Sequence, residues 1–438
     1  MRVCIHRGAH EIGGSCVEVA AGDDRIVLDL GMPLMAPGGG RRERFDFRPF
    51  RDLPGAELVS RKILPDIPGL YPWDTEAKPP LAVVISHAHQ DHYGLASFVR
   101  PEVPLYASFG TAALMRVSAM FLPDTTPVAA PVHMKPWQPV QIGPFTVTGH
   151  LVDHSAPDAL ALEVTAGGRK LFYSGDLRGH GRKAKLFDNM ILRPPRNVDV
   201  LMLEGTMLGQ TGPQEFPDET AVEAALADVF WRKTNLALLF CSSQNIDRIC
   251  SVYRAALRTD STLVIDLYTA WLLDQLRPLS ANLPQYDAPR IRVKYWRSHA
   301  KTLADAGHVD FLYRVNSAKI ELDAIAAAPA RTVFLAKANS LLPRIVKSLP
   351  TAVGLELIWS LWPGYLDGSD PVSRLRDEHN LPIQVIHTSG HATAEDLRRL
   401  AAAIDAKAVV PMHSFDTHRF GEHISNVTLT SDREWFSA

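Results

Sequence analysis

The apolar run Leu81-Ala-Val-Val-Ile-Ser86 leads without interruption into His87-Ala-His-Gln-Asp-His92. A buried strand therefore delivers three imidazoles and a carboxylate within six positions. Few needs of folding alone produce that arrangement. On an extended chain end, His87 and His89 project to the same side, while Asp91 and His92, just past the turn, can reach a second ion. One segment can thus serve two metals, and the rest of the chain must bring further ligands to its end.

Three such residues stand out further along. His154 lies in Val152-Asp-His-Ser-Ala-Pro, Asp176 in Phe172-Tyr-Ser-Gly-Asp176, and His413 in Val410-Pro-Met-His413. Asp176 and His413 each directly follow an apolar run, so both belong at strand ends, where rigid elements fix the spacing of ligands. An aspartate can bridge two ions with water filling the remaining gap. Taken alone, His154 reads as an ordinary loop histidine, and only the ensemble makes it a ligand. The metal set is therefore His87, His89, Asp91, His92, His154, Asp176 and His413. All its donors are nitrogen or oxygen, which favours two zinc ions, with manganese the alternative.

Further short apolar runs cover 26–30, 170–174, 200–203, 236–241, 262–265, 332–335, 383–386 and 408–410. They read as buried strands of an α/β protein. Two helices are predicted from helical spacing: Val222, Leu226, Val229 and Phe230 behind Asp218-Glu-Thr220, and Leu397, Leu400, Ala401 and Ile404 behind Thr393-x-x-Asp396. Segments 36–51 and 64–80, rich in Pro, Gly and Arg, read as long loops.

With 46% hydrophobic and 21% charged residues, the 438-residue chain can bury a large core, and its length suggests two domains. The net charge of -2 advertises no global affinity for polyanions. Cys4, Cys16, Cys241 and Cys250 form no C-x-x-C pair and are too sparse for a disulfide framework, which points to reduced thiols in the cytoplasm. No apolar stretch approaches the ~18 residues of a membrane span, and the N-terminus lacks a signal peptide's apolar region. No membrane partner is expected.

These motifs resemble the metallo-β-lactamase superfamily and, within it, the β-CASP nucleases, the group containing ribonuclease J. The opening Gly8-Ala-His-Glu-Ile-Gly-Gly-Ser-Cys16 and Leu28-Asp29-Leu-Gly31 are similar to the family's first strands and first motif, whose aspartate, here Asp29, supports the metal ligands from behind. Glu204 in Leu201-Met-Leu-Glu-Gly-Thr206 is similar to the acidic motif A, His391 in His387-Thr-Ser-Gly-His-Ala392 to motif B, and His413 to motif C.

The resemblance implies a four-layer αββα metallo-β-lactamase domain over 1–206 and 376–438, interrupted by an α/β β-CASP domain over 207–375. It also implies that His87, His89, His154 and Asp176 hold one ion, and Asp91, His92, Asp176 and His413 the other. His391 would donate a proton to the leaving oxygen, oriented by Glu204, and Asp91 counts among the catalytic groups. The implied activity is hydrolysis of RNA, or alternatively single-stranded DNA, to 5′-phosphate and 3′-hydroxyl ends by zinc-activated water.

Two departures from the family's pattern bear on substrate choice and assembly. Ser414-Phe415 replaces Gly-Glu, and the sequence stops soon after His413, without ribonuclease J's C-terminal domain. Self-association is left open. Substrate contacts are expected from Arg292, Lys294 and Trp296 in the basic-aromatic run 290–297, from Arg178, Arg182, Lys183 and Lys185, and from Ser389 and Gly390 at a terminal phosphate. For the two basic clusters the competing reading is a solvated charged face. His10, His133, His150, His180, His299 and His418 fit no motif and read as structural. A small-molecule ester hydrolase would need no insertion of this size, and an RNA-binding scaffold without activity should have lost ligands.

Overall fold

The computed structural model describes residues 1–36, 43–122, 125–209, 215–339, 341–350 and 352–438. The chain divides into two compact units, Met1–Gly212 with Gly390–Ala438, and Pro213–Ser389.

The first unit holds two sheets. One runs in the order Trp435–Ser437, Arg2–Arg7, Cys16–Ala21, Asp24–Leu28, Ala82–Val84, Leu105–Ala107, Val132–His133. Its first four strands are antiparallel neighbours, and the pairs from Asp24–Leu28 onward are parallel. The other runs Ala408–Met412, Val200–Glu204, Arg169–Tyr173, Leu160–Ala166, Phe145–Leu151, Pro139–Ile142, parallel across the first three strands and antiparallel thereafter.

Alternation along the strands decides how these sheets pack. Val3, Ile5, Val17, Val19, Ile26, Leu28 and Val84 of the first sheet join Phe145, Val147, Leu162, Val164, Leu171 and Val410 of the second in one buried cluster, so the two inner faces form a common core. The outer face of the second sheet is covered by Phe187 and Met190 of the helix Ala184–Leu192 and by Leu397, Leu400 and Ile404 of Ala394–Ile404. That second helix starts where the sequence predicts it: the Thr393 hydroxyl accepts the Asp396 N–H at 3.1 Å. On the first sheet, Cys4, Val27 and Val83 alternate with the inner residues and are also buried, so its outer face is covered too.

The second unit is an all-parallel sheet in the order Lys319–Ile320, Ile291–Lys294, Thr262–Asp266, Thr332–Ala336, Leu236–Phe240, Leu355–Trp359, Ile383–Val385. Its central strands Leu236–Phe240 and Thr332–Ala336 are buried at every residue, which explains why they appear in the sequence as unbroken apolar runs.

The second boundary needs correcting. Position 376 falls inside the helix Pro371–His379, whose Val372 and Leu375 pack into this unit's core, and Ile383–Val385 pairs with Leu355–Trp359. The unit therefore extends to Ser389. Of the two predicted long loops, 36–51 includes residues 37–42, which lie outside the described residues, while its end forms a short 3-10 turn, Arg48–Phe50. The segment 64–80 carries no helix or strand. Among the described residues no helix is long and apolar enough to cross a membrane. Cys4, Cys16 and Cys241 are buried free thiols.

Candidate metal centre

The carboxyl ends of the parallel strands in both sheets of the first unit carry the candidate residues. Asp29 follows Asp24–Leu28, His87 lies just beyond Ala82–Val84, Asp176 just beyond Arg169–Tyr173, Glu204 ends its strand, and His413 directly follows Ala408–Met412. Because the sheets share one core, these ends meet. The ligand atoms fall into two groups whose members all lie within 4.8 Å of one another: His87, His89, His154 and Asp176, and Asp91, His92, Asp176 and His413.

Local backbone explains how Asp91 and His92 are held. The segment Leu30–Met32 runs beside the helical turn Gln90–Tyr93, with Leu30 N–H donating to the His92 carbonyl at 2.8 Å and Met32 N–H to that of Gln90 at 2.8 Å. Gly31 sits between them, where a Cβ would come within 1.7 Å of the Asp91 carbonyl oxygen, so only glycine permits this approach.

The spacings suit a cation. A tetrahedral ion with bonds of roughly 2.0–2.1 Å keeps its donors roughly 3.3 Å apart. His89 Nδ1 lies 3.2 Å from His87 Nε2 and 3.1 Å from His154 Nε2. In the other group, Asp176 Oδ2 is 3.3 Å from His92 Nε2, and Asp91 Oδ2 is 3.3 Å from His413 Nε2.

Hydrogen bonds behind the imidazoles determine which nitrogen faces the centre. The Asp29 carboxylate accepts from His92 Nδ1 at 2.8 Å, Tyr173 OH at 2.6 Å, Ser86 Oγ at 2.7 Å and Ser86 N at 2.7 Å. With its proton given to Asp29, the Ser86 hydroxyl can only accept from His87 Nδ1, 3.0 Å away. His154 Nδ1 donates to the Gly390 carbonyl at 2.8 Å. Each of these rings therefore turns Nε2 inward.

The electrostatics divide the groups. Burial, reinforced by neighbouring imidazoles, pulls His87 and His154 well below the ordinary histidine value, and burial lowers His89 as well. These rings are neutral and ready to donate lone pairs. For His92, burial is outweighed by the Asp176 and Asp29 carboxylates, which raise it well above its usual value. Burial would raise Asp176, yet His413, His92 and His391 hold it well below the carboxylate range. Despite burial, the His413 hydrogen bond and the His92 charge bring Asp91 down to about 2.

His391 stands beside these groups, its Nδ1 3.4 Å from Glu204 Oε1 and 3.7 Å from Asp176 Oδ2. Burial opposes its protonation, but Glu204 and Asp176 push it up to about 9. Glu204 is itself fixed by the N–H groups of Thr206 at 2.9 Å and Ala392 at 3.3 Å. Glu204, His391 and His413 also form a third cluster with ligand geometry.

Other expected contacts are placed differently. Arg178 is fully buried against Asp153, so it cannot steer a phosphate. Lys294 is buried, pairs with Glu321 at 2.7 Å and lies over the Trp296 ring, which packs on the second unit's core; Arg292 is exposed. In the run 290–297, Ile291, Val293, Lys294 and Trp296 are packed, while Arg290, Arg292 and Arg297 are exposed. Gly390 serves through its carbonyl as the His154 partner. Sequence reasoning missed Ser86, Tyr173 and Thr206, whose hydroxyls orient ligands and carry no motif of their own.

A Beta-lactamase superfamily domain model matches residues 63–229. A crystal structure of a protein of unknown function from Enterococcus faecalis V583 superposes with a TM-score of 0.76 at 22% identity, covering 99% of both chains, and shares the fold. Fold and ligand-bearing strand ends are similar to those of the metallo-β-lactamase superfamily, whose domain model matches residues 63–229 of the chain. Its sequence is similar to ribonucleases J: that of Sinorhizobium meliloti is 29% identical over 212 residues (48% of this chain, 36% of the relative), and that of Mycobacterium tuberculosis strain CDC 1551 / Oshkosh 26% over 264 residues (58% and 42%). The Helicobacter pylori strain 26695 ribonuclease J is 21% identical over 434 residues, covering 94% of this chain. The chain spans 36% and 42% of the lengths of the first two relatives.

Proposed function

We propose that this protein is a metal-dependent phosphodiesterase that hydrolyses RNA, using two divalent cations held by the two ligand groups that share Asp176. The observation that carries this reading is the Asp176 carboxylate. Both its oxygens are buried and make no hydrogen bond among the described residues, while imidazole nitrogens of His87, His92, His391 and His413 stand 3.3–3.7 Å away. Imidazoles crowded at this spacing around one carboxylate without bonding it suit cations seated among them. The donor set of imidazole and carboxylate suits zinc, with manganese the alternative.

Bound there, two such ions would make water nucleophilic near neutral pH and neutralise phosphate oxygens. The chain's own residues supply the rest. His391, kept protonated by Glu204 and Asp176, is suited to hand a proton from its imidazole to the departing ribose 3′-oxygen, leaving 5′-phosphate and 3′-hydroxyl ends. Glu204 holds that ring through Nδ1 and balances its charge. Asp91 faces His413 across the second ligand group. The likeness to ribonucleases J supports RNA as the substrate, and we assign Pro213–Ser389 as the β-CASP insertion.

Incubation of the metal-loaded protein with end-labelled linear RNA, circular RNA and single-stranded DNA tests the proposal. RNA products bearing 5′-phosphates, lost in Asp176→Ala, are expected; cleavage of the circle would establish internal cutting. RNA left intact under metal-loaded conditions, or cut equally by Asp176→Ala, would reject it.

A further inference from the structure

We propose that Thr206 is a positioning residue that fixes both the imidazole orientation and the backbone of His413; this rests on the metal-binding reading above. The strands Val200–Glu204 and Ala408–Met412 are parallel neighbours with Glu204 opposite Met412, so Thr206 arrives beside His413 two residues past the strand end. Its hydroxyl lies 2.9 Å from His413 Nδ1 and donates to the His413 carbonyl at 3.3 Å. A threonine hydroxyl has one proton. With that proton on a carbonyl, which cannot donate, the imidazole must be the donor to Thr206. Nδ1 therefore carries hydrogen, and Nε2 is the nitrogen turned toward Asp91 Oδ2, 3.3 Å away. Nε2 thus faces the second ligand group, where a bound cation would take its lone pair.

The backbone contact matters equally. His413 has φ of 52°, a left-handed conformation that bulky side chains rarely adopt. Its N–H donates to the Gly8 carbonyl at 2.7 Å and its C=O accepts from Thr206, so the strained residue is clamped from both sides. Without the hydroxyl, Asp176 Oδ1, 3.7 Å away, is a competing acceptor for Nδ1–H. Rotation toward it would withdraw both the imidazole and the shared carboxylate from the second ligand group. Thr206 N–H also donates to Glu204, so one short strand end orients a ligand and the proton-carrying pair together.

The test compares Thr206→Val, which keeps the shape but lacks the hydroxyl, with Thr206→Ser, which keeps the hydroxyl. Zinc competition against a chelator should show one of two zinc ions bound ten- to a hundredfold more weakly in Thr206→Val, the other unchanged, and both within a few-fold of wild type in Thr206→Ser. In histidine-15N-labelled protein, a protected Nδ1–H resonance of His413 should appear in wild type and Thr206→Ser and be lost or shifted in Thr206→Val. Should Thr206→Val not fold, Thr206→Ala gives the same two readouts. Unchanged zinc affinities with an unchanged His413 resonance would overturn the proposal. Failure of the wild type to bind two zinc ions would instead overturn the metal reading, and the Nδ1–H resonance of the metal-free protein would still decide the role of Thr206.

Discussion

Asp29→Asn isolates the contribution of the carboxylate behind the metal centre. Asparagine tolerates the φ of 59° at this position, so the backbone should not be perturbed. Oδ2 accepts three hydrogen bonds, from Ser86 Oγ, His92 Nδ1 and Tyr173 OH, and Oδ1 accepts one from Ser86 N. An amide keeping its oxygen toward the three donors turns its NH2 toward the Ser86 N–H and leaves that buried donor unsatisfied, at about 1–3 kcal/mol. The three remaining bonds lose the assistance of the charge, about 1 kcal/mol each. Together this is about 4–6 kcal/mol, comparable to the whole stability of many domains. Urea unfolding of the metal-free proteins should show that loss, and zinc affinity should fall about ten- to a hundredfold as His92 and His87 lose their orientation. A loss below about 1 kcal/mol with unchanged zinc affinity would refute the reasoning that Asp29 orders these ligands.

Other predictions address separate parts of the molecule. His391→Ala should retain bound metal but slow RNA cleavage about a hundredfold or more, measured by single-turnover assay; loss of metal would make His391 a ligand with Glu204 and His413. In the second unit, fully buried Arg248 pairs with Glu219 at 2.9 Å and donates to the Ser360 carbonyl at 2.8 Å. Arg248→Met should destabilise that unit by about 3–5 kcal/mol in urea unfolding, because Glu219 is left buried without its cation, and adding Glu219→Leu should recover much of the loss. Burial would raise Glu18, but its bonds to His6 at 2.7 Å and Arg25 at 2.6 Å hold it below the usual glutamate value of 4.5. Its stabilisation is therefore present above pH 4.5 and lost as pH falls below it. Glu18→Gln should be less stable than wild type by about 2 kcal/mol at pH 7, with the gap closing in acid; a gap independent of pH would contradict this.

Legibility in the sequence followed the range of the interactions involved. Strands buried on both faces, such as Leu236–Phe240 and Thr332–Ala336, announce themselves as apolar runs. Phe145–Leu151 alternates buried and partly exposed residues over most of its length and gives no such run. His87 to His92 could be read because one segment carries them all, and strand-end positions marked Asp176 and His413. His154 had no local signal, since the carbonyl that orients it belongs to Gly390, 236 residues away. The same holds for Thr206, which parallel pairing brings beside His413, and for Tyr173, whose hydroxyl reaches Asp29 from the other sheet. Basic residues misled in the opposite direction: Arg178 and Lys294 look like substrate contacts, but each has an acidic partner in the fold.

Metal stoichiometry tests the central claim most directly. After zinc loading and removal of free ion, mass spectrometry should find close to two zinc ions per wild-type chain and a sharp drop in Asp176→Ala, because that carboxylate belongs to both ligand groups. A wild-type chain that retains no zinc, or an Asp176→Ala chain that retains both ions, would contradict the account.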